Sequence, residues 1–436
     1  MADKPRMVFC DAQGRIYDHP KLLLAVDDGS GPRPAEAHEL IELPRGSDVF
    51  TLPGRAPIGI DPRSGEPVVF DSMRGHPVDG VAAFMAPAYT QSARPSFRAR
   101  TGAPPLSIYA YTAMGFHKGR FVVAGLRVDA DKRQDPYRFD RAEIERRVAE
   151  RNRTLGDNRV VGQLNRCALE YGCRAAQNYF LDRWEAPLPI SVACNAQCVG
   201  CISLQPDGEF KASHDRLSTA PTPREVADLA LGHIRRVEQA VVSYGQGCEG
   251  EPTLMKDLIV EATRLIRQET TDGTVNLNTN GGRPDVVARM AEAGLDSIRV
   301  SMNSPRESLY LPYYNPRGYG LADAVDSLRV VKRAGGFASI NLFVFPGVTD
   351  TEEEAVALEA LVADVDLDMI QLRNLNIDPD KYAAILPPGS IRRGMGVRAL
   401  MDRLRGRFPH LRFGYYNPPK ERYRTWRERA ATERPV

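Results

Sequence analysis

Two regimes of hydrophobic patterning divide the chain. Up to about Asp140, short β-like runs such as Lys21–Val26, Pro67–Phe70 and Val81–Met85 stand between Gly- and Pro-rich stretches. Leu106–Tyr111 and Arg120–Val128 flank the turn-prone Gly115–Gly119 segment and predict a hairpin. Residues 1–139 therefore read as a β-rich N-terminal module. Asp140-Arg-Ala-Glu143 has the form of a helix cap, and Arg-rich helical sequence follows to about Trp184, with a break expected at Asn152–Asn158. Residues 140–186 read as a helical connector. From Leu188 onward apolar runs alternate with helical periods, which predicts a parallel α/β fold. The expected strands are Leu188–Ala193, Ala240–Tyr244, Thr274–Thr279, Ser297–Met302, Ala338–Phe345 and Met369–Leu372. Thr222-Pro-Arg-Glu225 supplies an N-cap, a proline at the first helical position and a capping-box glutamate, and Thr351-Glu-Glu-Glu354 offers a second box. Gly294 and Gly335 stand where helices should stop. Six such units are too few to close an eight-fold barrel. Residues 379–436 form a small C-terminal extension, with a helix at about Val397–Arg407, a short strand at Leu411–Tyr415 and a proline-broken tail.

The core strands are mostly apolar, but three carry polar residues at alternate positions. Val275, Leu277 and Thr279 alternate with Asn276, Asn278 and Asn280; Ile298, Val300 and Met302 with Arg299, Ser301 and Asn303; Ile370 and Leu372 with Gln371 and Arg373. Residues two apart share a face of a strand. A purely structural parallel sheet is apolar on both faces, so three strands departing in the same way predict a polar lumen that binds something. The alternative, polar faces meeting water, is disfavoured by the regular schedule of covering helices. A buried Arg299 or Arg373 would need partners or a ligand.

Cys194, Cys198 and Cys201 form a Cys-x3-Cys-x2-Cys loop directly after the first expected strand. The loop thus lies at the C-terminal ends of the strands, where barrels of this kind place their sites. Three thiolates can hold three irons of a 4Fe-4S cluster and leave the fourth open, whereas an electron-carrying ferredoxin cluster takes four cysteines. A structural zinc site prefers four ligands, often as two separated pairs, and only Cys248 or His214 is at hand as a fourth.

This spacing is the signature of the radical S-adenosylmethionine (radical SAM) superfamily. The chain resembles that superfamily, its MoaA-like branch in particular, over about Leu188–Arg373. The resemblance implies an open partial (β/α)6 barrel over 187–378. It also implies a cluster whose open iron binds the amino and carboxylate groups of S-adenosylmethionine, and a 5′-deoxyadenosyl radical released by one-electron cleavage of the sulfonium. Gly250-Glu251-Pro252 resembles the Gly-Gly-Glu-Pro element that contacts the methionine amino group. Glycines let a backbone approach a ligand, and a carboxylate accepts hydrogen bonds from an ammonium. The longer Gly245-Gln-Gly-Cys248-Glu249 lead-in leaves open whether Glu249 or Glu251 faces the cosubstrate. Leu277–Gly281 and Val300–Asn303 resemble the third- and fourth-strand elements, which makes Asn278, Ser301 and Asn303, with Asn280 beside them, candidates for cosubstrate contacts. Asn341 and the Phe345–Val348 turn resemble the later elements where adenine packs, and Arg373 joins the cofactor-binding candidates.

Cys248 sits in the loop beside the expected site and is the candidate catalytic residue: it could donate a hydrogen atom, touch substrate or merely pack. Cys167 and Cys173 are six apart, about 120° around a single helix. They would not share a face unless Gly172 breaks that helix, so these two and Cys10 read as buried free thiols. No cysteine follows Cys248, so the C-terminal auxiliary-cluster domain of resembling peptide-maturing enzymes is not expected. The Asp-x-His-x-x-Gly loop of common cobalamin domains is absent as well.

Composition narrows the partners. The 436 residues carry 58 basic and 56 acidic side chains, so strong global capture of nucleic acid or an anionic membrane is not expected. The cluster Lys420, Arg422, Arg424, Arg427 and Arg429, offset by Glu421 and Glu428, reads as a solvated tail or helix face. Met1–Arg6 is polar with no apolar run behind it, and nothing approaches the length of a membrane span. Seven irregularly spaced cysteines argue for a reducing cytoplasm.

The sequence therefore leads to a cytoplasmic radical SAM enzyme using a 4Fe-4S cluster and S-adenosylmethionine, with flavodoxin or ferredoxin as reductant. A peptide or protein side chain is the favoured substrate. A small metabolite or RNA, methyl transfer included, is the alternative reaction class, and a non-catalytic iron–sulfur or zinc scaffold the competing function.

Overall fold

The computed structural model describes residues 4–205, 212–423 and 425. Met1–Asp3 and, from the basic C-terminal cluster, Arg424, Arg427, Glu428 and Arg429 lie outside the described residues. The chain forms two compact units. One comprises Met1–Ala130, Phe343–Ala357 and Leu372–Leu404; the other comprises Asp131–Leu342, Leu358–Gln371 and Arg405–Val436. The division cuts across the expected segments, because two later stretches fold with the N-terminal module.

In the first unit, Arg6–Cys10 pairs antiparallel with Ile16–Asp27, Asp79–Phe84 and Thr112–His117. Val8 and Cys10 join one apolar cluster, Met7 and Phe9 another, the two-residue period of a strand covered on both faces. The hairpin is built from Thr112–His117 and Arg120–Arg127, turning at Lys118-Gly119. The expected arm Leu106–Tyr111 is not a strand, and Gly115 pairs with Val122 inside the ladder instead of turning the chain. Residues 372–404 are tied in by a buried ion pair: Arg55 Nη2 lies 2.9 Å from Asp378 Oδ2, with the side chains 4% and 3% exposed. The Leu106 N–H donates to the same carboxylate oxygen at 2.7 Å. Such supporting hydrogen bonds are what make a desolvated pair tolerable.

The parallel sheet runs in chain order through Glu185–Pro187, Val241–Tyr244, Thr274–Thr279, Ser297–Met302, Phe337–Val344, Met369–Asn374 and Arg412–Gly414. This is the open partial barrel that the alternation predicts. The short strand of the C-terminal extension adds a seventh member, parallel to the sixth. Helices begin where the caps foretold. Thr222 and Glu225 close their capping box, Asp140 caps Arg141–Leu155, and Asn158 caps Arg159–Leu169 after the expected break.

The first strand differs from expectation. It ends at Pro187, and its ladder closes where the Leu188 N–H donates to the Ser243 carbonyl at 2.8 Å. The next free donors, Ile190 and Ser191 N–H, are taken by the Glu249 carboxylate at 2.7 and 2.9 Å, so they have no strand to pair with.

The polar strand faces meet one another within the second unit. Asn276 Nδ2 donates to Ser243 Oγ at 3.1 Å and to Asn278 Oδ1 at 2.9 Å, while its Oδ1 accepts from Ser297 Oγ at 2.8 Å. Arg299 Nη1 donates to Gln371 Oε1 at 2.9 Å. Asn417, just past the seventh strand, closes the network: Oδ1 accepts from Gln371 at 2.9 Å and from Arg299 at 3.3 Å, and Nδ2 donates to Glu185 at 2.8 Å. The polar lumen is thus largely satisfied from within. No helix among the described residues is long and apolar enough to cross a membrane.

Two outcomes follow. Asn417→Ala leaves several buried polar groups without a partner and is expected to cost roughly 2–4 kcal/mol, read as a lowered urea midpoint. Burial pushes the Glu249 carboxyl up to about 7, against the pull of the backbone N–H groups that bind it. The folded chain then holds this proton more tightly than the unfolded chain. The resulting stability is full below the ordinary carboxyl range and is lost as the pH rises through about 7. The thermal midpoint should fall between about pH 5 and pH 8 in the wild type and fall less in Glu249→Gln.

Candidate functional site

The cysteine loop begins where the first strand has given up its ladder. It is held on one side by the helix Glu307–Tyr314 and the turn after it. Gln197 N–H donates to the Tyr314 carbonyl and Val199 N–H to the Tyr313 carbonyl, both at 3.0 Å, and Arg317 N–H donates to the Asn195 carbonyl at 2.8 Å. On the other side, Asn280 Nδ2 donates to Asn195 Oδ1 at 2.7 Å. Beneath it runs the loop after the second strand. Gly250 N–H donates to the Ser191 carbonyl and Glu251 N–H to the Ala193 carbonyl, both at 2.8 Å. The two loops pass so closely that a Cβ on Gly250 would stand 1.9 Å from the Ala193 carbonyl oxygen. Gly250 is needed for chain-on-chain approach, which is a different demand from close approach to a ligand.

The two glutamates divide cleanly. Glu249 is buried, and both its oxygens are bound by backbone: Ile190 and Ser191 on one, Gly245 and Gln246 at 2.7 and 3.1 Å on the other. Glu251 Oε1 accepts from Thr253 N–H, Thr253 Oγ1 and Thr279 Oγ1, whereas Oε2 accepts from Asn280 N–H at 2.8 Å. An oxygen with a single donor retains accepting capacity. Of the two, Glu251 is the one able to accept from a further cation, and its charge reaches Cys194.

Burial drives the Cys194 thiol up to about 11, with Glu251 adding to the effect. Burial drives Cys198 well above the usual thiol range too, reinforced by the charges of Cys201 and Cys194. Arg216 opposes both shifts. Its Nη2 donates to Cys201 Sγ at 3.6 Å and its Nε to Ser203 Oγ at 3.0 Å. Nothing in the Arg216 sequence context signalled this role. The Tyr314 hydroxyl is buried without a hydrogen-bond partner, and the charge of Cys198 reaches it. Among the described residues no three His, Cys, Asp or Glu side chains are closed around the space of a single ion. The donor set fits a multi-iron cluster: three soft thiols within electrostatic reach of one another, one cation to offset their charge, and a spare hydroxyl donor alongside.

The remaining candidates separate by how fully they are engaged. Asn278 Nδ2 donates to the Tyr244 carbonyl at 2.8 Å and Asn303 Nδ2 to the Leu309 carbonyl at 2.9 Å. Asn280 braces the cysteine loop, and its Oδ1 accepts from Gly282 N–H at 2.9 Å. Pro252 opens a short 3-10 turn. Asn341 pairs with Ser301 across the fourth and fifth strands, and its Oδ1 is buried with no partner. Arg373 and the Phe345–Val348 turn belong to the first unit. There Gly347 abuts Asp28 and Gly29, and Arg94 lies over the Phe345 ring at 4.7 Å. Cys248 is buried in the loop after the second strand, its carbonyl accepting from the Leu217 N–H at 3.0 Å.

No curated protein matches the sequence. Among solved structures, SuiB from Streptococcus suis bound to S-adenosylmethionine is similar at 13% identity and TM-score 0.38, covering 57% of this chain and 56% of its own. Methylornithine synthase (PylB) is similar at 14% identity and TM-score 0.38, covering 65% and 77%. A radical SAM methyltransferase from Sphaerobacter thermophilus is similar at 17% identity and TM-score 0.37, covering 53% and 67%. The chain thus spans little more than half of SuiB. These likenesses are distant, and the identification stands on the family model for the radical SAM superfamily, which matches residues 188–358. That segment, from just past the first strand into the helix Glu352–Val365 that precedes the sixth, is a radical SAM domain, of the superfamily whose enzymes bind a 4Fe-4S cluster and S-adenosylmethionine.

Proposed function

We propose that this chain is a radical SAM enzyme in which Cys194, Cys198 and Cys201 hold three irons of a 4Fe-4S cluster. Bound there, the cluster would supply the electron for reductive cleavage of S-adenosylmethionine and so the radical chemistry that acts on the substrate. The observation that carries the reading is the thiol loop itself, braced at the strand ends beside a carboxylate and a polar strand face, inside the segment that the family model matches.

The chain's own residues divide the work. Arg216 offsets the negative charge that three thiolates bring to the loop. Glu251 Oε2 accepts from the cosubstrate's ammonium, and Ser301 with the unpartnered Asn341 Oδ1 supplies further polar contacts. Gly250, Pro252, Asn278, Asn280 and Asn303 shape the site through the backbone bonds they already make. Cys248, buried in the loop after the second strand, is the candidate catalytic residue. A flavodoxin or ferredoxin delivers the electron in the cytoplasm, the compartment that fits seven cysteines outside any disulfide. The favoured substrate is a peptide or protein side chain, for which the β-rich first unit offers a large additional surface.

Anaerobic reconstitution with reductant and S-adenosylmethionine is expected to release 5′-deoxyadenosine. Cys198→Ala should bind less iron and release none, whereas Asn341→Ala should keep the cluster and weaken cosubstrate binding by roughly 5- to 10-fold, the worth of one hydrogen bond. A brown protein that never consumes S-adenosylmethionine would exclude the enzyme and leave the scaffold reading. Arg216→Leu removes a cation hydrogen-bonded to the thiol loop. It should move the cluster's reduction potential to more negative values in a titration followed by electron paramagnetic resonance.

A further inference from the structure

The helical connector of the second unit treats its arginines in two ways. Some are matched with carboxylates: Arg141 with Glu145, Arg151 with Asp182 and Arg159 with Glu225. Arg138, Arg174 and Arg183 are gathered instead around two aromatic rings. The Arg174 and Arg183 guanidiniums lie 4.2 and 4.6 Å from the centre of the Phe139 ring. Arg183 and Arg138 lie 4.9 and 5.6 Å from that of Trp184. Among the described residues none of these three forms an ion pair with a carboxylate. The acidic residues nearest in sequence are engaged elsewhere. Asp135 accepts from the Tyr137 hydroxyl at 2.8 Å, and Asp140 caps the helix Arg141–Leu155. Asp182, beside Arg183, accepts from Arg151 and Arg236, both at 2.7 Å.

The backbone fixes this group in place. Asp182 and Trp184 are both left-handed, at φ +49° and +53°, a region that costs an ordinary side chain energy. The turn is locked at each end: the Arg183 N–H donates to the Asn178 carbonyl at 3.1 Å, and the Trp184 carbonyl accepts from the Val241 N–H at 3.0 Å. The Arg183 side chain is tied as well, Nε to Asn178 Oδ1 at 2.8 Å and Nη2 to the Arg138 carbonyl at 2.7 Å. Like charges held together repel one another. Burial, with the charges of Arg138 and Arg174, pulls Arg183 down to about 10. An anion at the group would relieve that repulsion.

We propose that Arg138, Arg174 and Arg183 form a binding site for an acidic peptide segment, whose Asp or Glu carboxylates accept from the guanidinium N–H groups. This deepens the peptide reading of the substrate and rests on it. A guanidinium stacked on a ring keeps its N–H donors pointing outward in its own plane, in the fork that matches a carboxylate. Arg174 has engaged only Nη1, with Gln177 Oε1 at 3.2 Å. Arg138 is exposed and Arg174 and Arg183 are half-buried, so a partner reaches them from solvent. A nucleic-acid strand does not fit this chemistry. The Phe139 and Trp184 faces carry guanidiniums where bases would stack. The chain's 58 basic residues are balanced by 56 acidic ones, which gives no basic excess for a phosphate backbone.

The test uses the reconstituted full-length protein without S-adenosylmethionine. The probe is a fluorescein-labelled Glu-Ala-Glu-Ala-Glu peptide, with the Gln-Ala-Gln-Ala-Gln peptide as control, and binding is read by fluorescence anisotropy. The Glu peptide should bind, the Gln peptide should not, and binding should weaken as salt is raised to about 0.5 M. Arg138→Gln and Arg174→Gln should each weaken it about tenfold, the worth of one charge-assisted hydrogen bond. Arg141→Gln, which removes an arginine already paired with Glu145, should leave it unchanged. The comparison of the two peptides on the wild-type protein decides the question even if a variant fails to fold. Equal binding of both peptides would overturn the proposal, as would binding of the Glu peptide that neither Arg138→Gln nor Arg174→Gln weakens. So would a single-stranded DNA of the same net charge that binds more tightly than the peptide. Cosubstrate cleavage is a separate readout. Loss of peptide binding with 5′-deoxyadenosine still released removes this site alone, and the reverse removes the enzyme reading alone.

Discussion

The architecture of the site turns on one buried carboxylate. Two strands that run in parallel leave their last N–H groups pointing at nothing once the chain departs into loops. Glu249 gathers these ends, with Ile190 and Ser191 on one oxygen and Gly245 and Gln246 on the other. A buried carboxylate without donors would be forced neutral. Four backbone donors oppose that shift without cancelling it, and in return they fix where both loops begin. The cysteine loop inherits its position from that tie, and the Gly250–Ala193 approach leaves it no room to settle closer.

The barrel interior solves a second problem. Asparagine, serine and arginine side chains on parallel strands would be costly if left dry and unpaired. Asn417 draws Glu185, Gln371, Arg299 and Asn278 into one connected set, so the burial of each is offset by the others. The network takes up the donors and acceptors of Ser243, Asn276 and Gln371 and leaves Asn341 Oδ1 outside it. Polarity alone therefore does not mark a contact residue in this lumen. What distinguishes Asn341 from Asn278 is an unspent acceptor.

How much of this was legible in the sequence varies with the range of the interaction. Local signals agree with the structure: the Thr222–Glu225 box, the Asp140 cap, the helix break at Asn152–Asn158 and the alternation of the third and fourth strands all depend on residues within a few positions. The expected first strand, Leu188–Ala193, falls just after the observed one, Glu185–Pro187, because the later run is apolar enough for a strand. Nothing nearby shows that its donors go to a carboxylate about sixty residues later, at Glu249. The hairpin was misplaced because Gly115 resembles a turn residue as readily as a strand residue packed against its neighbours. Arg216 and Asn417 were invisible, since each acts on partners distant in sequence. Glu249 and Glu251 could not be told apart from spacing, and only their donors separate them.

The electrostatics of the thiol loop favour a bound metal. Cys194 and Cys198 are pushed toward the neutral form by burial, and each additional thiolate raises the cost for the next. A loop lined with several cations would relieve that cost with no metal bound and would weaken the demand for one. Among the described residues a single guanidinium, held at Cys201 and Ser203, offsets only part of it. The remaining imbalance favours a positively charged metal core at the three sulfurs. The Glu251 carboxylate beside Cys194 sharpens the same preference, because it repels thiolates and attracts any cation that arrives with or after the metal.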